Sequence, residues 1–230
     1  MLGTLEAPPP VAGEAPRRSS KPRAILDAAG ELFLAQGFAA VSMDAVARQA
    51  GVSKATLYAY FPGKDALFAA IVAERCDRMA AEASALAGHG DGPEATLRRL
   101  CKTVLGFLVA PSTLAIHRIV QAESVRAPGL AEAFYAAGPG AGLARLASWI
   151  AEEQRLGRLR ADADPAEAAG HLGALLRGDL WLRAGLGVPP APDDSAAERA
   201  ATAAADDFLR AYGVGGGGPS SAQAAGADAG

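Results

Sequence analysis

Apolar residues recur at Ile25, Ala28, Ala29, Leu32 and Phe33. This i, i+3, i+4, i+7, i+8 spacing lays one stripe along a helix. Ser20 in front, Pro22 in the first turn and Gly37 behind are start and stop signals, so the pattern predicts a helix from Lys21 to Gln36. Two short segments follow. The first, from Met43 to Ala50, has Ser42 as N-cap and Asp44 in the first turn, where free amides favour an acid. The second, from Lys54 to Tyr60, is capped by Ser53, and Gly51 between them can supply the positive φ of a tight turn. Helices of seven or eight residues do not hold themselves together in water. Both are therefore predicted to pack on the first helix through Ala45, Val46, Ala50, Val52 and Leu57, with small Ala47 and Gly51 permitting close approach.

After "FPGK" a long helix is predicted from about Asp65 to Ala87, with Leu67, Phe68, Ile71, Val72 and Met79 on one side. Further helices are read over 93–109, 112–126, 128–156 with a break at Gly138-Pro139, 165–185 and 194–212. Ser112 and Asp164-Pro165 mark starts, and "GHGDGP", "LRADADP" and "GVPPAPDD" read as loops. No alternating strand pattern and no repeat period is visible. The expectation is an all-α chain of about nine helices, a three-helix head over 20–64 and a larger helical body over 65–212. Residues 1–19 and 213–230 are too poor in buriable side chains to offset the entropy of ordering and are expected to be mobile tails.

Half of the 230 residues are apolar and a fifth charged, as in ordinary globular proteins, while abundant alanine and few aromatics favour helices. The net charge of −3 hides an asymmetry: residues 1–75 net +1 and the remainder −4. Positive charge gathers in 17–64, with seven basic to three acidic residues, as a phosphate-facing surface requires. Cys76 and Cys101 lie in apolar helical surroundings without Cys-x-x-Cys or histidine at metal spacing, and read as two buried thiols. The amino end lacks the apolar core of a signal peptide, and the longest apolar run, Val104 to Ala110, is too short for a bilayer. A cytoplasmic protein without membrane contact, metal or cofactor is expected.

Two short capped helices across a glycine turn make a helix-turn-helix, in which the first helix braces the second in the major groove of DNA. Ser53, Lys54, Thr56, Tyr58 and Tyr60 offer hydroxyl and ammonium groups to phosphates and base edges, and Ala55 with the Thr56 methyl can touch thymine methyls. Lys64, just before the next helix, is expected to clamp a phosphate with the helix amides. Arg17 and Arg18 raise the expectation that the arm reaches an adjacent minor groove. The alternative for these residues is a solvated polar face on a helical scaffold that contacts protein.

The stretch "ILDAAGELFLAQGFAAVSMDAVARQAGVSKATLYAYFPGKDALFAAIV", residues 25–72, closely resembles the DNA-binding domain of TetR-family transcriptional regulators. That resemblance implies phosphate contact at Ser42 and Met43, a recognition helix bearing Ser53, Lys54, Ala55, Thr56, Tyr58 and Tyr60, and a phosphate-binding Lys64. Met43 stands where the family usually has threonine, and Pro62-Gly63 where serine or asparagine is frequent. Residues 117–187 resemble, more loosely, the C-terminal domain of the AefR-like subgroup. This implies a homodimer formed by a four-helix bundle from about 165–185 and 194–212, with Gly170, Gly173 and Gly178 beside Leu172, Leu175, Leu176 and Leu180, and an enclosed small-molecule effector site. A double-stranded palindromic operator is the implied partner, and repression the implied role.

Enzyme signatures fail on context. "GVSKA" lies between helices rather than after a strand, and "GPGAG" lacks the strand and register of a dinucleotide site. His89, His117 and His171 are far apart, and no His-Glu-x-x-His occurs. His117, Arg118, Gln121 and Glu123 on one helix, and His171, Arg177, Asp179 and Trp181 on another, are polar residues among alanine and leucine. They are either a solvated face or groups that orient a ligand in a cavity; of these, His117, Gln121, His171, Arg177 and Trp181 are the candidate ligand-binding set.

Overall fold

The structure, a computed structural model, describes residues 20–87 and 92–214; the arm with Arg17 and Arg18, His89 and nearly all of the tail lie outside the described residues. Among the described residues there are eleven α-helices and one π-turn, and the nearest thing to a strand is an isolated bridge between Leu159 and Gly213. The fold is all-α, with a three-helix head and a larger helical body.

Helix α1 spans Lys21–Gln36 and buries Ile25, Ala28, Ala29, Leu32 and Phe33, the stripe that the spacing predicts. Ser20 precedes it without a side-chain capping bond. Helices α2 (Met43–Gln49) and α3 (Lys54–Tyr60) are both capped: Ser42 Oγ accepts from the Ala45 amide and Ser53 Oγ from the Thr56 amide. Val46 and Leu57 are fully buried, so tertiary packing supplies what seven-residue helices lack. Gly51 has φ +66 and an added Cβ there would meet nothing within 4 Å. Its requirement is therefore conformational, not a close approach.

Helix α4 (Lys64–Ala87) runs for about 36 Å at the helical rise of ~1.5 Å per residue. Phe33, Phe38 and Phe68 join it to the head, with ring centroids 5.3–5.7 Å apart. Arg23 of α1 also pairs with Glu74 of α4. The body continues with α5 (Pro93–Val109), α6 (Pro111–Glu123), α7 (Pro128–Tyr135), a π-turn at Ala136–Gly140, α8 (Ala141–Arg155), α9 (Pro165–Leu176), α10 (Asp179–Leu186) and α11 (Asp194–Tyr212). Proline opens α5, α6, α7 and α9, and Asp164 and Asp193 cap α9 and α11.

Two differences from the predicted elements have local causes. The segment expected as one helix over 165–185 is broken at Arg177-Gly178, where Gly178 leaves helical geometry at φ −66, ψ −159. The break expected at Gly138-Pro139 is a π-turn in which the chain continues as helix, because the wider turn accommodates proline's missing donor.

Two apolar cores result. One runs through the head into the body, with Ile25, Val46, Leu57 and Phe68 joined by Ile116, Val120 and Leu130 from α6 and α7. The other holds Leu97, Leu105, Ile150, Leu172 and Phe208, with Ala201, Ala204 and Ala205 of α11 letting α5 come close. Cys76 and Cys101 are buried free thiols, one in each core. Burial pushes both thiols up, that of Cys101 to about 12. No single helix among the described residues is long and apolar enough to cross a membrane.

Candidate nucleic-acid interface and body cavity

The outward face of α3 is built by its caps and its one buried residue. Leu57 anchors the helix in the core, and the turn then leaves Ser53, Lys54, Ala55, Tyr58 and Tyr60 exposed, with Thr56 half-buried. Tyr58 and Tyr60 are 44% and 48% accessible, so both phenols point to solvent. Thr56 Oγ1 is 2.8 Å from Ser53 Oγ, which ties this hydroxyl to the cap. Ala59 is also exposed and belongs to the same surface, although its bland side chain gives no sequence signal.

Lys54 does not project freely. Its Nζ lies 2.8 Å from Asp44 Oδ1 of α2 and 6.0 Å from the Tyr58 ring centroid. The hydrogen bond to Asp44, and then its charge, raise the Lys54 pKa. A phosphate that engages this ammonium competes with Asp44.

Two of the residues expected at phosphates also have partners within the head. Met43 is only 8% exposed and packs in the head core, so its side chain is structural; the first-turn amides of α2, beside exposed Ser42, are what this position can offer an anion. Lys64 opens α4, but its Nζ donates to Phe38 O (2.9 Å) and Ala39 O (3.2 Å) and sits 4.7 Å from the Phe38 ring centroid. Its charge closes the α1–α2 turn against α4. The sequence places it at a helix start but cannot show that two carbonyls already face it.

A cavity of about 420 Å³ lies in the body among α4 to α10, with both tryptophans, Trp149 and Trp181, in its wall. Of the five candidate ligand-binding residues, the fold brings together His117, Arg177 and Trp181. The His117 ring is 5.3 Å from Trp181 and 6.0 Å from Phe134, both edge-on. Burial, and next the Arg177 charge, lower the His117 pKa, so the imidazole is neutral at pH 7. Gln121 and His171 are exposed and line no part of this wall; His171 Nδ1 instead meets the Tyr212 hydroxyl, linking α9 to α11. His117 and Gln121 lie four residues apart on α6, yet only His117 reaches the cavity wall.

The cavity also has polar wall residues that sequence reasoning passed over, chiefly Arg75 and Thr113. Arg75 falls between Val72 and Met79 on the apolar side of α4, and a cation interrupting such a stripe is the signal that would have found it. The π-turn belongs to the same wall through Gly138 and Pro139. A Cβ on Gly138 would come within 2.9 Å of Val72 Cγ1, so the turn rests directly on α4.

The arrangement expected of a dimer bundle is partly consumed inside the chain. Leu172 and Leu176 are buried in the second core, Leu180 packs against it, and Gly173 makes its close approach to Leu143 of α8. Leu175 on α9, Leu182 and Leu186 on α10, and Val188 remain exposed.

Comparison with known proteins matches this geometry at both ends. Residues 25–71 match the bacterial regulatory proteins of the tetR family, and residues 95–214 match the AefR-like transcriptional repressor C-terminal domain. The flavonoid-responsive regulator FrrA is similar in structure, with a TM-score of 0.67 and 39% identity over 84% of this chain and 97% of that one. A TetR transcriptional regulator from Agrobacterium tumefaciens gives a TM-score of 0.67 at 29% identity, covering 86% of this chain and 97% of that one. The HTH-type transcriptional regulator RutR of Escherichia coli strain K12 is 42% identical over 59 residues, 26% of this chain and 28% of RutR, so that relative is matched over little more than a quarter of its length. Head, body and their order all agree, and the chain belongs to the TetR family of transcriptional regulators, with an AefR-like C-terminal domain.

Proposed function

We propose that this regulator is a repressor that binds a palindromic operator as a homodimer and leaves it when a small molecule fills the body cavity. The observation that carries the reading is α3 itself: a capped helix fixed by one buried leucine, with Ser53, Lys54, Ala55, Tyr58 and Tyr60 turned outward. Ser42 and Thr56 flank this surface, the first beside the α2 amides and the second through its methyl. Phosphate contacts set the register, and the tyrosines with Thr56 and Ala55 read base edges.

One head covers one half-site, and two symmetry-related heads enter successive major grooves about 34–36 Å apart. The exposed Leu175, Leu182, Leu186 and Val188 are a surface for the second copy. Helix α4 is the mechanical link, because its first half shares the head core while Arg75, Cys76 and Met79 line the cavity. An effector that selects a different α4 position changes head spacing and loses both half-sites together, with a coupling of about 1–3 kcal/mol. FrrA is named as responsive to flavonoids, which supports a ring-containing effector here.

The test is duplex selection from genomic fragments, followed by gel shift with the purified full chain. A palindromic, salt-sensitive shift that Tyr58→Ala weakens is expected. Absence of any palindromic preference would instead favour a helical scaffold that contacts protein.

A further inference from the structure

We infer that the body cavity is built for an amphipathic oxyanion: an apolar body of two or three rings carrying one carboxylate or acidic phenol, received by Arg75 and Thr113. The inference rests on the reading of this cavity as the effector site and adds the chemistry of what enters it.

The wall is mainly apolar, yet it holds three guanidinium groups, Arg75, Arg145 and Arg177, and no carboxylate. Among the described residues, only Arg145 of the three has an acid partner, Asp77. Arg75 gives one terminal nitrogen to the Ser112 hydroxyl, and Arg177 gives one to Gly173 O at 3.2 Å, both neutral acceptors. Two cations therefore face an apolar space uncompensated by the wall. Such charge is costly to desolvate without a counter-ion, and an anionic ligand supplies one while a cationic ligand is repelled.

Hydrogen bonding narrows the place. Arg75 Nε and Thr113 Oγ1 are buried without a partner among the described residues, and both residues belong to the cavity wall. The Arg75 bond to Ser112, the residue next to Thr113, puts the two on one side of the cavity. An unpaired N–H donor and an unpaired hydroxyl on one side of a cavity fit an acceptor oxygen that carries charge. Burial, and next Arg78, lower the Arg75 pKa, as expected of a cation awaiting its counter-ion. The rings are received beside Trp181, Phe134 and His117, which pack edge-to-face in the cavity wall. A volume near 420 Å³ lies within the range of pockets that enclose small organic ligands, ~300–1,000 Å³.

The test uses the full chain and its own fluorescence, since both of its tryptophans line the cavity. Quenching is titrated with biphenyl-4-carboxylate, biphenyl-4-carboxamide and biphenyl-4-methylammonium, which share one two-ring body. The carboxylate is expected to bind about tenfold or more tightly than the amide, and the ammonium least. Arg75→Gln should remove most of that preference while the amide's affinity is retained. Thr113→Val and Arg177→Gln should each reduce it, and they decide the matter should the Arg75 variant fail to fold. Equal or tighter binding of the amide, a preference that survives in the folded variants, or no quenching by any probe overturns the inference. A gel shift on the same samples separates the two readings: carboxylate preference with an unmoved duplex keeps the cavity assignment and removes the effector role.

Discussion

At the scale of single residues, the head divides its side chains between a buried core and an exposed α3 face. Tyr58 is exposed and makes no core contact, so Tyr58→Ala is expected to leave the melting temperature unchanged and to cost about 1–3 kcal/mol of specific over non-specific affinity, read by competition gel shift. Asp44 holds the Lys54 ammonium and adds a negative charge beside α3. Asp44→Asn should therefore strengthen binding to all duplexes and steepen its salt dependence; unchanged or weaker binding would show that Asp44 positions Lys54 instead of competing for it. Lys64 carries a different expectation from its place in the sequence. Because its ammonium is spent on Phe38 O and Ala39 O, Lys64→Ala should cost about 1–2 kcal/mol in denaturant unfolding and leave the salt slope close to that of the parent chain.

At the scale of elements, short helices depend on the turns between them. Gly51 stands at φ +66 in open space, so Gly51→Ala tests backbone conformation without a steric clash. A loss of about 1–2 kcal/mol in unfolding, with weaker duplex binding as α3 tilts, is expected. Gly138→Ala tests the opposite situation, since its methyl would press on Val72 of α4. Overpacking of this kind costs about 1–3 kcal/mol, and displacement of α4 should alter operator affinity even though residue 138 is remote from α3. A variant that loses stability but binds operator as before would separate the π-turn from the head. The turn sits where α4, α7 and α8 meet at the cavity wall, a position in which such bulges recur at functional sites.

At the scale of the whole molecule, the head is not an independent bead on the body. Its core continues into Ile116, Val120 and Leu130, and Arg23 and Glu74 add an ion pair across α1 and α4. A displacement of α4 at the cavity would therefore reach α1 through packed side chains. The exposed apolar residues of α10 belong to this scale too. Leu182→Asp with Leu186→Asp should give a monomer in sedimentation, with binding to a full palindrome reduced to that of a half-site. A double variant that remains dimeric would place the partner surface elsewhere.

Much of the head was legible in the chain itself, because its elements are specified locally. The stripe of α1, the serines that cap α2 and α3, and the positive-φ glycine each depend on neighbours within four residues. The order of helices and the outward tyrosines follow from the same short-range periods. Three-dimensional packing decided the rest: the burial of Met43, the turning of Lys64 onto carbonyls more than twenty residues away, and the choice of His117, Arg177 and Trp181 over Gln121 and His171 as wall residues. It also placed Arg75 and Thr113 in one cavity wall that carries no acid among its lining residues. Periodicity fixes which face of a helix is apolar, but which neighbour covers that face, and where a gap is left between neighbours, depends on contacts among residues far apart in the chain.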